Sequence, residues 1–143
     1  MTKSSTYTAT CFCGSVELEL TGEPVFQGFC HCDSCKRWLG APMNAATLWP
    51  IASVRFRKGE DLLGTFAKAP RSQRKHCTQC GGSVLNAHYD EGVSDVLASL
   101  IKDFPFAPTM HVHYRERLLD ARDDLPKFSD LPIELGGTGE LVE

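Results

Sequence analysis

Seven cysteines stand in three short clusters, and they are the side chains of this sequence best suited to chemistry. The clusters read Cys11-Phe12-Cys13, Cys30-His31-Cys32-Asp33-Ser34-Cys35 and Cys77-Thr78-Gln79-Cys80. Cysteine thiolates at such short spacings bind soft metal ions, above all zinc, from a single backbone loop. Two pairs can close a site with four sulfurs, and the trio is then left with three protein ligands. A closed zinc site is structural, whereas a three-ligand site keeps one position for chemistry.

The two cysteine pairs predict the structural site. Each pair is followed by a glycine, Gly14 or Gly81, which relaxes the tight backbone turn that a metal knuckle needs. A zinc ion bound by both pairs would tie distant segments of a sheet together. The predicted ligands are Cys11, Cys13, Cys77 and Cys80.

The trio Cys30, Cys32 and Cys35 predicts a reactive site. A zinc ion with three thiolates carries one net negative charge, which favours exchange of its fourth ligand for another soft donor such as a substrate thiol. Coordination holds that thiol as thiolate beside an electrophile, so the trio favours sulfur chemistry over hydrolysis. A second structural zinc and a redox role for Cys32 and Cys35 are the alternatives. For the structural alternative, the possible fourth ligands are His31, His76, His88 or a more distant histidine.

His111 and His113 form a separate candidate pair. In a strand they share one face, where they could bind metal together. Packing or hydrogen bonding is the interpretation that we favour for both.

Composition and charge argue against several classes of protein. The 143 residues are 42% hydrophobic and 23% charged, as expected of one soluble globular domain. The formal net charge of −3 lacks the basic excess of a nucleic-acid-binding protein. No apolar stretch reaches the ~20 residues of a membrane helix. The N-terminal stretch has no apolar signal core, so we expect a cytoplasmic location, where clustered cysteines are seldom disulfides.

The periodicity of the sequence predicts a mostly β, single-domain protein. One helical turn is expected from Asp33 to Leu39, ended by Gly40 and Pro42. Residues 1–128 are expected to form the domain, and residues 129–143 a C-terminal tail. Apolar alternation predicts strands at 8–20 with a turn near Cys13, and at 45–49, 53–57, 62–66, 75–80, 83–88, 96–101 and 110–114.

The order of these motifs resembles the glutathione-dependent formaldehyde-activating enzyme family, which also includes centromere protein V. The resemblance implies an Mss4-like β-tent of antiparallel sheets with two zinc ions. It assigns the two cysteine pairs to a structural zinc and the trio to a catalytic one, the same partition that ligand counting suggests. From its open position we expect the second zinc to be exchangeable. The segments that carry the match are Cys11-Phe12-Cys13-Gly14, Cys30-His31-Cys32-Asp33-Ser34-Cys35-Lys36-Arg37, Gly40-Ala41-Pro42, Lys75-His76-Cys77-Thr78-Gln79-Cys80-Gly81-Gly82 and, more loosely, Pro108-Thr109-Met110-His111 and Leu125-Pro126-Lys127-Phe128.

The resemblance also implies a reaction, in which glutathione and formaldehyde join to give S-(hydroxymethyl)glutathione, classed as carbon–sulfur lyase chemistry. Cys30, Cys32 and Cys35 would hold the catalytic zinc. Candidates to bind the carboxylates of glutathione are Lys36, Arg37 and Arg74. One alternative is a non-catalytic, zinc-stabilised binding module, because Mss4-like architecture also occurs in interaction proteins. Another is a redox or metal-buffering protein.

Overall fold

Short strands dominate the backbone, as the sequence predicts. The computed structural model describes residues 5–143, and within that range the chain forms ten strands, one α-helix and six 3₁₀ helices. This confirms the mostly β fold class. The elements are β1 Thr6–Thr10, β2 Glu17–Thr21, β3 Phe26–Cys30, α1 Asp33–Leu39, β4 Asn44–Pro50, β5 Val54–Lys58, β6 Leu63–Ala69, β7 Ser72–Cys77, β8 Ser83–His88, β9 Val93–Leu97 and β10 His111–Val112, with 3₁₀ helices at Ile51–Ser53, Glu60–Leu62, Tyr89–Glu91, Ala98–Leu100, Tyr114–Glu116 and Ile133–Leu135.

The described chain divides into two units. The first comprises residues 5–26 and Thr47–Pro105, and the second comprises Gln27–Ala46 and Phe106–Glu143. Strand β4 contributes residues 44–46 to the second unit and 47–50 to the first. The single domain expected over residues 1–128 stays a prediction. In residues 5–143, no helix has both the length and the apolar character needed to span a membrane.

Two sheets form the first unit. Strands β1, β2 and β5 pair antiparallel in that order, and the second sheet runs β4, β9, β8, β7, β6. Alternation on β2 explains the packing, since Leu18 and Leu20 are buried while Glu17 and Glu19 face Arg57 on the other side. The buried leucines therefore fix which face of this sheet meets the core.

The core of the first unit reaches the cysteine pairs. Trp49, Val84 and Val96 lie at its centre with at most 1% exposure. Cys11 and Cys77 belong to the same buried cluster, with 3% and 0% exposure. The four-cysteine group is thus built onto the hydrophobic core.

A short parallel pair organises the second unit. Strand β3 lies between β10 and β4, and β10 runs parallel to it with His111 opposite Phe29 and Val112 opposite Cys30. Helix α1 follows β3 after one extended residue, Cys32, and ends as predicted at Gly40, whose φ of 62° is the left-handed cap that glycine favours.

The C-terminal segment 129–143, expected as a tail, is hydrogen-bonded within the second unit. Ser129 N–H donates to the Glu140 carbonyl, and Val142 N–H donates to the Lys127 carbonyl. The Asp130 carboxylate accepts hydrogen bonds from the Thr138 N–H and hydroxyl. These bonds fix the backbone of a segment whose sequence shows no strand or helix periodicity.

Three strand predictions need correction. The strand predicted at 75–80 is β7, Ser72–Cys77, and residues 78–80 form a turn. The run predicted at 96–101 is β9, Val93–Leu97, followed by the 3₁₀ turn Ala98–Leu100, since a short apolar run looks alike in either conformation. The strand predicted at 110–114 is limited to His111–Val112, because His113 adopts φ 51° and a 3₁₀ turn follows.

Candidate metal centres

Four sulfurs of the first unit meet at one point. The Sγ atoms of Cys11, Cys13, Cys77 and Cys80 all lie within 4.8 Å of one another. Cys13 Sγ is 3.7 Å from Cys11 Sγ and 3.8 Å from Cys77 Sγ. A tetrahedron with zinc–sulfur bonds of about 2.3 Å has edges of about 3.8 Å. The donor set and its spacing therefore fit a tetrahedral zinc ion, and the cysteines are free rather than disulfide-bonded.

Two tight turns present these sulfurs. Gly14 and Gly81 adopt φ of 81° and 76°, and their N–H groups donate to the carbonyls of Cys11 and Cys77, at 3.1 Å and 2.7 Å. In both turns the glycine sits where a left-handed backbone is required, which agrees with the role predicted from the sequence.

Hydrogen bonds from the chain favour the thiolate form of two of these cysteines. The pKa of Cys13 falls to about 6, chiefly because its sulfur lies 3.2 Å from the Ser15 hydroxyl. The Gly82 N–H, 3.4 Å from Cys80 Sγ, lowers the pKa of that thiol. Donors around the sulfurs orient and stabilise metal ligands in the same way.

The trio lies at the junction of β3 and α1 in the second unit. The Sγ atoms of Cys30, Cys32 and Cys35 lie within 4.8 Å of one another. Cys32 precedes the helix, and its sulfur accepts a hydrogen bond from the Cys35 N–H at 3.3 Å. Cys35 is buried, whereas the other two are half-buried, so the trio is accessible from one side.

The three thiols of the trio share protons unequally. Contact with Cys30 and Cys35 holds the pKa of Cys32 well below its usual range, whereas contact with Cys32 raises the pKa of Cys30. Adjacent thiolates repel, so all three ionise together only beside a compensating cation. Soft donors at this spacing fit zinc.

Within the described residues, no histidine or carboxylate oxygen joins the trio at that distance. His31 Nε2 lies 2.8 Å from His111 Nδ1 instead. His76 and His88 belong to the first unit, where His88 Nδ1 lies 3.2 Å from the Arg71 carbonyl. In residues 5–143 the trio therefore brings together three possible ligand atoms, and the histidines named for the structural alternative are not among them.

His111 and His113 do not act as a pair. The two do not share a strand face, because the strand ends at Val112. His111 is buried and hydrogen-bonded, the role that the sequence favoured. His113 Nδ1 lies 3.6 Å from a Glu116 carboxylate oxygen.

The three basic candidates have different surroundings. Lys36 Nζ lies 3.0 Å from the Asp33 carboxylate and donates to the Glu116 carbonyl, so it already has two partners. Arg37 is exposed on α1. Arg74 lies on β7 in the first unit, whereas the trio belongs to the second.

The model of a known family aligns with most of this chain. Residues 6–116 match the glutathione-dependent formaldehyde-activating enzyme family. The chain belongs to that family. All seven cysteines lie inside the matched range.

Two similar proteins extend the comparison. An uncharacterized lyase of Schizosaccharomyces pombe (strain 972 / ATCC 24843) is 26% identical over 82 residues, which cover 57% of this chain. The chain spans 58% of the length of that relative. A crystal structure of a Rhodobacter sphaeroides protein, a structural genomics target, is similar in fold, with a TM-score of 0.56 and 21% identity over 68% of this chain and 89% of the other.

Asp123 and Glu116 are site neighbours that the sequence did not indicate. Asp123 Oδ2 lies 2.8 Å from His111 Nε2. Glu116 Oε1 accepts from the Asp33 N–H at the start of α1. Asp123 also lies beyond the family match, and neither carboxylate carries a spacing signal, because their partners are distant in sequence.

Proposed function

We propose that this protein is a zinc-dependent lyase-type enzyme that joins or separates a thiol and an aldehyde, with glutathione and formaldehyde as its substrates. The observation that carries this proposal is the trio, three converging sulfurs that no fourth side-chain ligand completes within residues 5–143. Membership of the formaldehyde-activating family and the relative named a lyase support the same reaction class. A cytoplasmic location belongs to the proposal, since free thiolates persist in reducing compartments.

The reaction needs a thiolate held beside a carbonyl carbon. The carbon–sulfur bond forms while the C=O π bond breaks, and the proton lost by the thiol ends on the former carbonyl oxygen. Bound by Cys30, Cys32 and Cys35, zinc supplies a soft Lewis acid that favours the thiolate form of a sulfur substrate. The trio would hold that ion at the C-terminal end of β3, where Cys30 and Cys32 are half-buried.

Helix α1, which carries Cys35, also lines a cleft with basic side chains that suit a carboxylate-bearing thiol. A cleft of about 330 Å³ beside α1 is lined in part by Lys36, Arg37 and Leu118. Arg37 is the better candidate for a glutathione carboxylate, because arginine binds carboxylates in a bidentate manner and Lys36 is already bound to Asp33. The role of Arg74 in binding a glutathione carboxylate remains a prediction.

Cys32→Ser tests the proposal. The variant should keep the fold and the four-sulfur zinc, lose the second zinc, and lose enzymatic exchange between glutathione and S-(hydroxymethyl)glutathione. Exchange NMR measures the rate above the uncatalysed background, and elemental analysis gives the zinc content. Ser34→Ala, an exposed non-ligand in the same loop, is the matched control and should retain activity. Full activity of Cys32→Ser would refute the assignment.

Zinc content with and without glutathione separates the enzyme from a binding module. An enzyme that works through the trio should hold one zinc whose occupancy shifts with glutathione and one that does not. Two zinc ions that are both indifferent to glutathione would contradict the proposal and favour the non-catalytic module.

A further inference from the structure

Three side chains of the second unit form a continuous hydrogen-bonded chain. Asp123 Oδ2 lies 2.8 Å from His111 Nε2, and His111 Nδ1 lies 2.8 Å from His31 Nε2. His31 and His111 have 0% and 1% exposure, while the Asp123 side chain is 36% exposed and lines a cleft of about 640 Å³. The hydrogen-bonded chain therefore runs from a solvent-facing carboxylate to the buried His31, which lies between Cys30 and Cys32 in the sequence.

The carboxylate gives this chain a direction. Ionised Asp123 only accepts, so His111 donates from Nε2–H and its Nδ1 is left as an acceptor. His31 must then donate from Nε2–H, and its Nδ1 carries a lone pair. His31 Nδ1 is buried and has no hydrogen-bond partner among the described residues. The hydrogen bond from Nε2–H to His111 therefore determines the tautomer of His31.

Packing holds both rings in place. The Tyr114 ring meets them edge-on, with centroids 5.0 Å from His31 and 5.6 Å from His111, and Phe29 stacks on His111 at 5.0 Å. Asp123 is held by the Lys127 ammonium and by the Leu125 N–H, both at 3.0 Å from Oδ1. His31, His111 and Asp123 are thus each held in position by packing or by a further hydrogen bond.

His31 connects this chain to the trio. Its N–H donates to the Val112 carbonyl at 3.0 Å, so it continues the pairing of β3 with β10. Alternate side chains of an extended segment point to opposite faces, which places the His31 ring on the side away from Cys30 and Cys32. Fixing the His31 ring on one face of this segment therefore also fixes the positions of the Cys30 and Cys32 sulfurs on the opposite face.

We propose that Asp123 and His111 are positioning residues for the trio, acting through His31. The proposal rests on the proposed function in so far as the trio holds a metal ion. Outer groups that orient metal ligands typically contribute 10–100-fold in metal affinity. The same contribution is expected here, although these residues hold the loop between the ligands and do not bond to a ligand atom.

Asp123→Asn tests the direction of the chain. An amide both donates and accepts, so it permits either tautomer of His111 and hence of His31. In the wild type, ¹⁵N shifts of labelled imidazoles should show Nε2–H for both histidines, assigned with His31 and His111 variants. In Asp123→Asn both should shift toward Nδ1–H. A wild-type His31 protonated at Nδ1 would overturn the proposal.

Chelator competition with the full-length protein tests whether Asp123 and His111 affect the zinc affinity of the trio. Zinc released to a chromogenic chelator is assigned to the trio by its loss in Cys32→Ser. Asp123→Asn should lower the trio's zinc affinity about 10-fold or more, while the four-sulfur zinc, an internal control, is unchanged. Asp124→Asn removes one charge from an exposed neighbour and should leave both affinities at wild-type values.

The outcomes separate this inference from the function on which it rests. A wild-type chain whose trio binds no zinc would refute the proposed function. A trio that binds zinc equally in Asp123→Asn and Asp124→Asn would refute the positioning role alone. Equal loss of both zinc ions in Asp123→Asn would also refute it, because that result indicates general destabilisation.

Discussion

At the scale of single residues, the two cysteine groups differ in how the backbone supports them. The four-sulfur group receives hydrogen bonds from the Val16 and Gly82 N–H groups to Cys11 Sγ and Cys80 Sγ. In the trio, Cys32 Sγ receives one from the Cys35 N–H. Backbone donors therefore hold two sulfurs of the first group in place, which suits the structural zinc site predicted there.

Gly59 controls the position of the first cysteine turn. Its φ is 79°, and a Cβ added there would lie 2.1 Å from the Ser15 carbonyl oxygen. Ser15 is the residue whose hydroxyl contacts Cys13 Sγ. Gly59→Ala should therefore move this turn and lower the free energy of unfolding by about 3 kcal/mol or more. Thermal unfolding and the rate of zinc release to a chelator measure both effects.

Gly92→Ala isolates backbone strain from the clash. Gly92 has a similar φ of 70°, but an added Cβ there would meet nothing within 4 Å. The expected cost is about 1–2 kcal/mol, with zinc release unchanged. Equal effects of the two substitutions would show that the contact between Gly59 and Ser15 is unimportant.

At the scale of elements, the sequence predicted the strands and the helix that local side-chain patterns and caps determine. The alternation of Val16, Leu18 and Leu20 matches three buried side chains, and helix α1 spans the predicted residues up to its glycine cap. For the turn Ala98–Leu100 the sequence pattern predicts a strand, because three apolar or small residues fit either conformation. Periodicity cannot show where a strand gives way to a 3₁₀ turn.

In the candidate site, too, local contacts could be predicted from the sequence and distant ones could not. The sulfur groups could be predicted, because spacing brings each pair or trio together within a few residues. The chain from Asp123 to His31 could not, since His31 and His111 are 80 residues apart and meet through the parallel pairing of β3 with β10. Strand β10 has only two residues, which is too short for a periodic pattern that would predict its pairing with β3.

A buried hydroxyl links β4 to β9 in the first unit. Thr47 Oγ1 donates to the Val96 carbonyl and accepts from the Trp49 indole N–H at 2.8 Å. Thr47→Val keeps the shape but leaves the indole N–H without its acceptor, which should cost about 2–3 kcal/mol. Urea unfolding monitored by circular dichroism measures the change.

Thr47→Ser is the matched control, because it retains the hydroxyl and removes one methyl group. Its expected cost is about 1 kcal/mol. If the valine variant were as stable as the serine variant, the hydrogen bonds would contribute nothing beyond the side-chain volume.

At the scale of the whole molecule, the two sulfur groups stand in different relations to the chain. The four-sulfur group joins the β1–β2 turn to the β7–β8 turn, with Cys13 and Cys77 separated by 64 residues. It thereby connects the two sheets of the first unit. The trio lies within six consecutive residues of the second unit, so a metal there closes only a short loop. Metal at the first group should therefore contribute far more to folding.

Cys77→Ser and Cys32→Ser should separate these roles. Apparent binding energies of structural zinc, about 10–16 kcal/mol, match or exceed the stability of a typical domain, about 5–15 kcal/mol. Cys77, with 0% exposure, also packs in the core. Cys77→Ser should thus lack a cooperative thermal transition, whereas Cys32→Ser should unfold within a few degrees of the wild type. A folded Cys77→Ser protein with unchanged zinc content would show that the four sulfurs do not hold the structural metal.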